Sequence, residues 1–123
     1  MSFLNSGNNK CGLVIGINYE NDSNAKLNGC INDTTSITNF LKSRCGYGDN
    51  DIQLITDYTP LKPTRQNIIN AIQMLVQKVK ETNAKEVWFS YSGHGSYIYS
   101  NYSPEETDSQ DEALVPVDYA SQG

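Results

Sequence analysis

CGLVIGIN, Cys11 to Asn18, is an apolar run rich in Val and Ile, with a polar lead before it and the Asn-, Asp- and Ser-rich stretch Tyr19 to Gly29 behind it. Its apolar residues do not alternate with polar ones. A strand that is apolar on both faces is buried on both faces, which is the habit of parallel sheets. Working outward, the polar stretch reads as a surface loop. Asn32 or Asp33 then caps a helix whose stripe is Ile37, Phe40 and Leu41, spaced i, i+3, i+4, and Gly46 and Gly48 end it. Ile52 to Thr56 reads as a second strand. Thr64, following Pro63, caps the longest helix, with Ile68, Ile72, Leu75 and Val79 on one face and Ile69 and Val76 widening it. EVWFSYS, Glu86 to Ser92, is a third strand by its aromatic and branched content. An acidic loop, roughly Gly93 to Glu112, leads to a short fourth strand at Ala113 to Val117. Alternation of strands and helices predicts an α/β fold with an open, mostly parallel sheet, flanking helices and right-handed crossovers.

At 123 residues the chain suits one small domain, read as a flexible lead over 1–9 and a single unit over 10–123. Apolar residues at 37% and a mean hydropathy of −0.53 exclude a disordered polyampholyte. No apolar run approaches the roughly 20 residues of a spanning helix, so no membrane partner is expected. The opening MSFLNSGNNK lacks the apolar stretch of a secretory signal. Three cysteines, Cys11, Cys30 and Cys45, form no CxxC pair, which predicts reduced thiols and a cytoplasmic protein. Charge is unevenly placed. Nine basic residues against seven acids give the first 85 residues a charge of +2, whereas the rest holds seven acids and no base. Such a tail repels phosphates and argues against nucleic acid as a partner.

In an open α/β sheet, ligands bind outside the carboxyl ends of the strands. Two segments land there: the turn Gly29 to Asp33 after the first strand and Ser92-Gly93-His94-Gly95 after the third. His94 is the only histidine, and its flanking glycines leave the imidazole accessible. Histidine is the side chain whose unperturbed pKa lies near neutrality, as a general base or acid requires. Such a base serves a nucleophile, and a thiolate beside an imidazolium is one. Cys11 opens the first strand and Cys45 ends the first helix, so both read as structural. Cys30 lies in the turn after the first strand, within reach of His94 if those strands are close; reacting thiol and pocket wall are both open to it, the second being preferred. Asp33 and Ser92 read either as an ordinary helix cap and strand end, or as one polar pocket whose carboxylate holds a guanidinium or ammonium. The acidic run SPEETDSQDE lacks the spacing of an EF-hand loop. Tyr97, Tyr99 and Tyr102 read as cover for the sheet edge.

Five segments in order, LVIGINY (13–19), LNGCINDT (27–34), ITDYTPLKPTRQNI (55–68), FSYSGHGS (89–96) and DEALVPVDY (111–119), resemble the N-terminal, large-subunit portion of metacaspases, caspase-like cysteine peptidases. The resemblance implies a caspase-like sheet, incomplete here for want of its C-terminal strands, and hydrolysis of peptide bonds by a Cys–His dyad. His94 matches the family's catalytic histidine. Cys30, Asp33 and Ser92 match positions lining the pocket for the substrate residue before the scissile bond (P1), which in this family is Arg or Lys. Many members need Ca²⁺, and Asp111 matches one of its aspartate ligands. The family's nucleophilic cysteine lies in a D-x-C-H-S-G-like motif beyond PVDY, and no such motif occurs in these residues. The expectation is therefore a His-bearing portion of an endopeptidase whose nucleophile lies beyond Gly123, inactive alone. The rival expectation is a non-catalytic pseudo-peptidase that docks on its missing C-terminal portion or on a full-length relative.

Overall fold

The computed structural model describes residues 9–99 and 110–122. The central strand β1 (Lys10–Gly16) is flanked by β2 (Ile52–Thr56) and β3 (Glu86–Ser92), both parallel to it. The helices α1 (Cys30–Arg44) and α2 (Arg65–Thr82) make the two connections. This is the expected open, mostly parallel α/β sheet with flanking helices. Burial on both sides explains why the apolar run does not alternate. Leu13 and Ile15 pack with Ile55, Ile68, Ala71 and Leu75, while Val14 packs on the other side with Leu41, Tyr47 and Ile52. All three β1 side chains are completely buried.

α1 begins one turn earlier than the sequence predicts. Gly29 is its N-cap, so Asn32 and Asp33 lie inside the first turn and cap nothing. The capping acceptor is Asn18, whose Oδ1 takes the Cys30 N–H at 3.0 Å from twelve residues upstream. No local spacing announces a cap supplied from that distance. Leu41 is buried and Ile37 half-buried, but Phe40 is 48% exposed, its ring 6.4 Å from that of Trp88. Thr34 is buried against Gly16, where a Cβ would stand 2.3 Å from Thr34 Cγ2 and 2.9 Å from the Cys30 carbonyl oxygen. Only glycine lets α1 settle so close over the end of β1.

Thr64 caps α2 as predicted, its Oγ1 accepting the Asn67 N–H at 3.2 Å. The inward face of α2 is narrower than the apolar spacing suggests. Ile68, Ala71 and Leu75 are buried, whereas Ile72 and Val76 are exposed. Beyond β3 the expected loop and fourth strand are also corrected. β4 (Gly95–Tyr99) pairs antiparallel with β5 (Gln110–Leu114) in a separate two-stranded sheet. The chain then docks onto the start of α2: Val117 N–H donates to Pro63 O at 3.0 Å, and Arg65 N–H donates to Asp118 Oδ1 at 2.9 Å. α3 (Tyr119–Gln122) follows.

β3 borders the described sheet, and its outer edge meets no strand among the described residues. Val87 and Phe89 are about half exposed there. Among the described residues no helix is long and apolar enough to cross a membrane. The lead before residue 9 and Tyr102 lie outside the described residues, as do the side chains of Tyr97 and Tyr99.

Candidate active site

His94 sits where β3 gives way to β4, at the carboxyl end of the parallel sheet, and is half-buried. Its Nε2 lies 2.6 Å from the main-chain carbonyl oxygen of Ala25. A carbonyl can only accept, so this contact assigns the proton to Nε2 and leaves Nδ1 as the nitrogen with a free lone pair in the neutral ring. The imidazole also lies over the Tyr19 ring, with centroids 4.8 Å apart and planes tilted by 36°. Gly93 is sterically required, because a Cβ there would come within 2.6 Å of Tyr91 Oη and 3.1 Å of Tyr19 Oη. At Gly95 a Cβ meets nothing nearer than 3.9 Å, so the second glycine is not needed on that ground.

The loop that delivers the Ala25 carbonyl is fastened at several points. The Asp57 carboxylate, just past β2, accepts the Asn18 N–H at 2.7 Å and the Glu20 N–H at 3.2 Å. Leu27 N–H donates to Asn18 O at 2.7 Å, which closes the loop on itself. Within it, Ala25 N–H donates to Asp22 O at 3.1 Å. Tyr119 donates its hydroxyl proton to Asp22 Oδ2 at 2.5 Å and holds that carboxyl below the usual carboxylate range. Tyr19, Ala25, Asp57 and Tyr91 are not singled out by the sequence. The one signal there is the density of turn formers between 18 and 29, which marks a shaped loop without naming which carbonyl it presents.

Of the other predicted residues, Ser92 and Cys30 meet around Gly16. Ser92 is its register partner on β3 and accepts the Ile17 N–H through its carbonyl at 2.9 Å, while the Cys30 carbonyl stands in front of Gly16. Asp33 is exposed in the first turn of α1 and makes no ion pair among the described residues. Cys30 is 9% exposed. Burial pushes its thiol pKa up, and the nearby Asp33 and Asp57 carboxylates push the same way. An activated nucleophile needs the opposite shift, so Cys30 suits a pocket wall better than a reacting thiol. The expected labelling pattern follows: with limiting iodoacetamide near neutral pH, peptide mass mapping finds the adduct on half-exposed Cys45. Cys30 and buried Cys11, whose pKa is also raised by burial, react roughly tenfold or more slowly. Equal labelling of Cys30 and Cys45 would contradict this.

Among the described residues no three His, Cys, Asp or Glu side chains converge as a metal site, and the Asp111 side chain lies outside them. The described residues therefore assemble no calcium ligand set.

A family model for the metacaspase, peptidase C14 domain matches residues 10–123. Metacaspase-1 of Eremothecium gossypii is 41% identical over 121 residues, covering 96% of this chain and 26% of that protein. Metacaspase-1 of Meyerozyma guilliermondii is 38% identical over 122 residues, 97% of this chain and 29% of its own length. Metacaspase-1 of Saccharomyces cerevisiae is 40% identical over 114 residues, 90% of this chain and 26% of its own. The chain thus spans a little over a quarter of the length of these curated relatives. The match runs through β1, β3 and the loop whose Ala25 carbonyl meets the imidazole, and it identifies the chain as a member of the metacaspase family of cysteine peptidases.

Proposed function

We propose that the chain supplies the histidine side of a cysteine endopeptidase centre that cleaves after Arg or Lys. One observation carries this reading: Nε2 of His94 is committed to the Ala25 carbonyl, which turns Nδ1 into the ring's proton acceptor. In the complete centre, Nδ1 takes the proton of a cysteine thiol that these residues do not include. The thiolate attacks the scissile carbonyl carbon. The imidazolium then returns the proton to the leaving amine as the C–N bond breaks, giving a thioester that water hydrolyses with the ring again acting as base. Throughout, the Ala25 carbonyl remains hydrogen-bonded to Nε2–H. Asp33, with no ion pair among the described residues, is the carboxylate for a basic P1 side chain, and Cys30 and Ser92 wall the same pocket. Asp111 remains the candidate calcium ligand by family resemblance alone.

The test joins this chain in one reading frame to the C-terminal remainder of a metacaspase relative and assays fluorogenic peptides bearing Arg, Lys, Gln or Asp at P1. Hydrolysis after Arg and Lys, with none after Asp, is expected, and the 123 residues alone show none. Preference for Asp, or indifference to P1, would overturn the pocket assignment.

A second reading, a non-catalytic module that docks on other protein, is favoured by the border of the sheet. β3 exposes Val87 and Phe89, and Trp88 Nε1 and Ser90 Oγ are buried without a hydrogen-bond partner among the described residues. Unpaired strand edges and orphaned buried donors invite further chain. A joined protein that folds, binds such a relative and hydrolyses no peptide would favour it.

A further inference from the structure

His94 is gripped from below by two phenol groups that the proton-transfer scheme leaves unused. We propose that Tyr19, with Tyr91 as its partner, is the positioning residue of His94, so that the placement of the imidazole is set by two tyrosine hydroxyls and not by the Gly-His-Gly sequence alone. The inference rests on the peptidase reading only for the purpose it gives that placement.

The proton count shows how complete the grip is. Tyr19 Oη donates to the Val115 carbonyl at 2.7 Å and accepts the His94 N–H at 2.9 Å. Tyr91 Oη donates to the His94 carbonyl at 2.7 Å. Each phenol carries one proton, and both are then in use. In that arrangement no proton lies in the 3.2 Å contact between the two oxygens, and the Val115 carbonyl, at 3.2 Å, is the longer alternative acceptor for Tyr91. Both main-chain groups of His94 thus reach a tyrosine, and Val115, at the exit of β5, joins the same cluster, its N–H lying 3.2 Å from the His94 carbonyl oxygen and 3.3 Å from Tyr91 Oη. These bonds are made inside the protein, since Tyr19 is 1% exposed. Burial pushes both phenols upward, so each stays a neutral donor at neutral pH.

The backbone supplies an independent sign. Tyr19 has φ 57°, a left-handed conformation that residues other than glycine avoid. Such geometry persists where surroundings enforce it and clusters at functional sites. Here it swings the side chain from the end of β1 under the β3–β4 turn, 75 residues away in sequence, and lays the ring beneath the imidazole. The absence of a side chain at Gly93 admits the two oxygens.

The experiment uses the full chain labelled with ¹⁵N, in which the single histidine gives an unambiguous ring signal. Tyr19→Phe keeps the ring and deletes the hydroxyl. His94 amide exchange is expected to accelerate roughly fivefold or more, the scale of one lost hydrogen bond. The Nε2–H tautomer signal becomes a mixture, while Leu13, Val14 and Ile15 amides exchange at their original rates. Unchanged His94 exchange and tautomer in folded Tyr19→Phe would overturn the proposal. So would uniform acceleration through β1, which marks a plain core residue. If Tyr19→Phe does not fold, Tyr91→Phe decides: a mixed tautomer supports the proposal and an unaltered ring overturns it. None of these signals requires hydrolysis, so a chain that never cleaves peptide fails the peptidase reading alone. In a joined enzyme that does cleave, Tyr19→Phe lowers kcat at constant KM, and an unchanged kcat counts against positioning.

Discussion

Peptide hydrolysis by the joined enzyme falls by about 10³-fold or more when His94 is replaced by alanine, because proton transfer by a positioned base supplies rate enhancement of that order. The thiol loses its proton acceptor and the amine its donor in one substitution, so both halves of the reaction fail together. The loss is expected in kcat with little change in KM, since the ring touches the proton in flight and not the P1 side chain. His94→Gln separates basicity from placement. Its amide N–H can still donate to the Ala25 carbonyl, yet the side chain has no basic nitrogen, so it is expected to be as inactive as alanine. Far-ultraviolet circular dichroism of both variants should match the parent, because the ring is half-buried and outside both main core clusters. Retention of a tenth or more of the activity in either variant would remove His94 from the chemistry.

Asp33→Asn is the second large effect, and it is selective. A charge-assisted hydrogen bond contributes about 1.5–3 kcal/mol, so kcat/KM for Arg-P1 peptides is expected to drop roughly 10- to 150-fold. Peptides with neutral Gln at P1 should be nearly unaffected, which collapses the ratio between the two substrates by the same factor. Asp33→Glu keeps the charge on a longer arm and should recover part of the loss for Lys more readily than for Arg, whose planar fork demands a fixed geometry. The substitution leaves the fold alone, because Asp33 is exposed within the first turn of α1 and caps nothing. An equal fall on all P1 residues would mean that Asp33 shapes the turn and does not contact substrate.

The fold is legible in the sequence where the cause is local. Both-face burial of β1 is written in CGLVIGIN, and the Thr64 cap of α2 lies beside the residues it caps. The letters mislead where the cause is distant. The acceptor for α1 comes from Asn18, and the polar residues nearer the helix start, Asn32 and Asp33, imitate a cap that they do not form. Ile72 and Val76 show that apolar spacing reveals which side of a helix is greasy and not how much of that side is covered. β4 is hidden because GSYIY merges with acidic residues that read as loop. At the site, His94 is legible through its rarity and its glycines, and Cys30, Asp33 and Ser92 through resemblance. The phenols beneath the imidazole are not, since a tyrosine with positive φ has no signature in a string of letters.

Few features bear on inheritance as directly as the group opposite the ring's Nε2. A carboxylate partner would be one codon change from deletion, whereas the oxygen offered by Ala25 belongs to the peptide bond and survives every substitution at that position except those that reroute the loop. Descendants of this chain can therefore change residue 25, within the space its packing against the core leaves, while keeping the same imidazole tautomer. Their vulnerable letters are elsewhere, at Asp57 and Asn18, which hold the path the oxygen travels on.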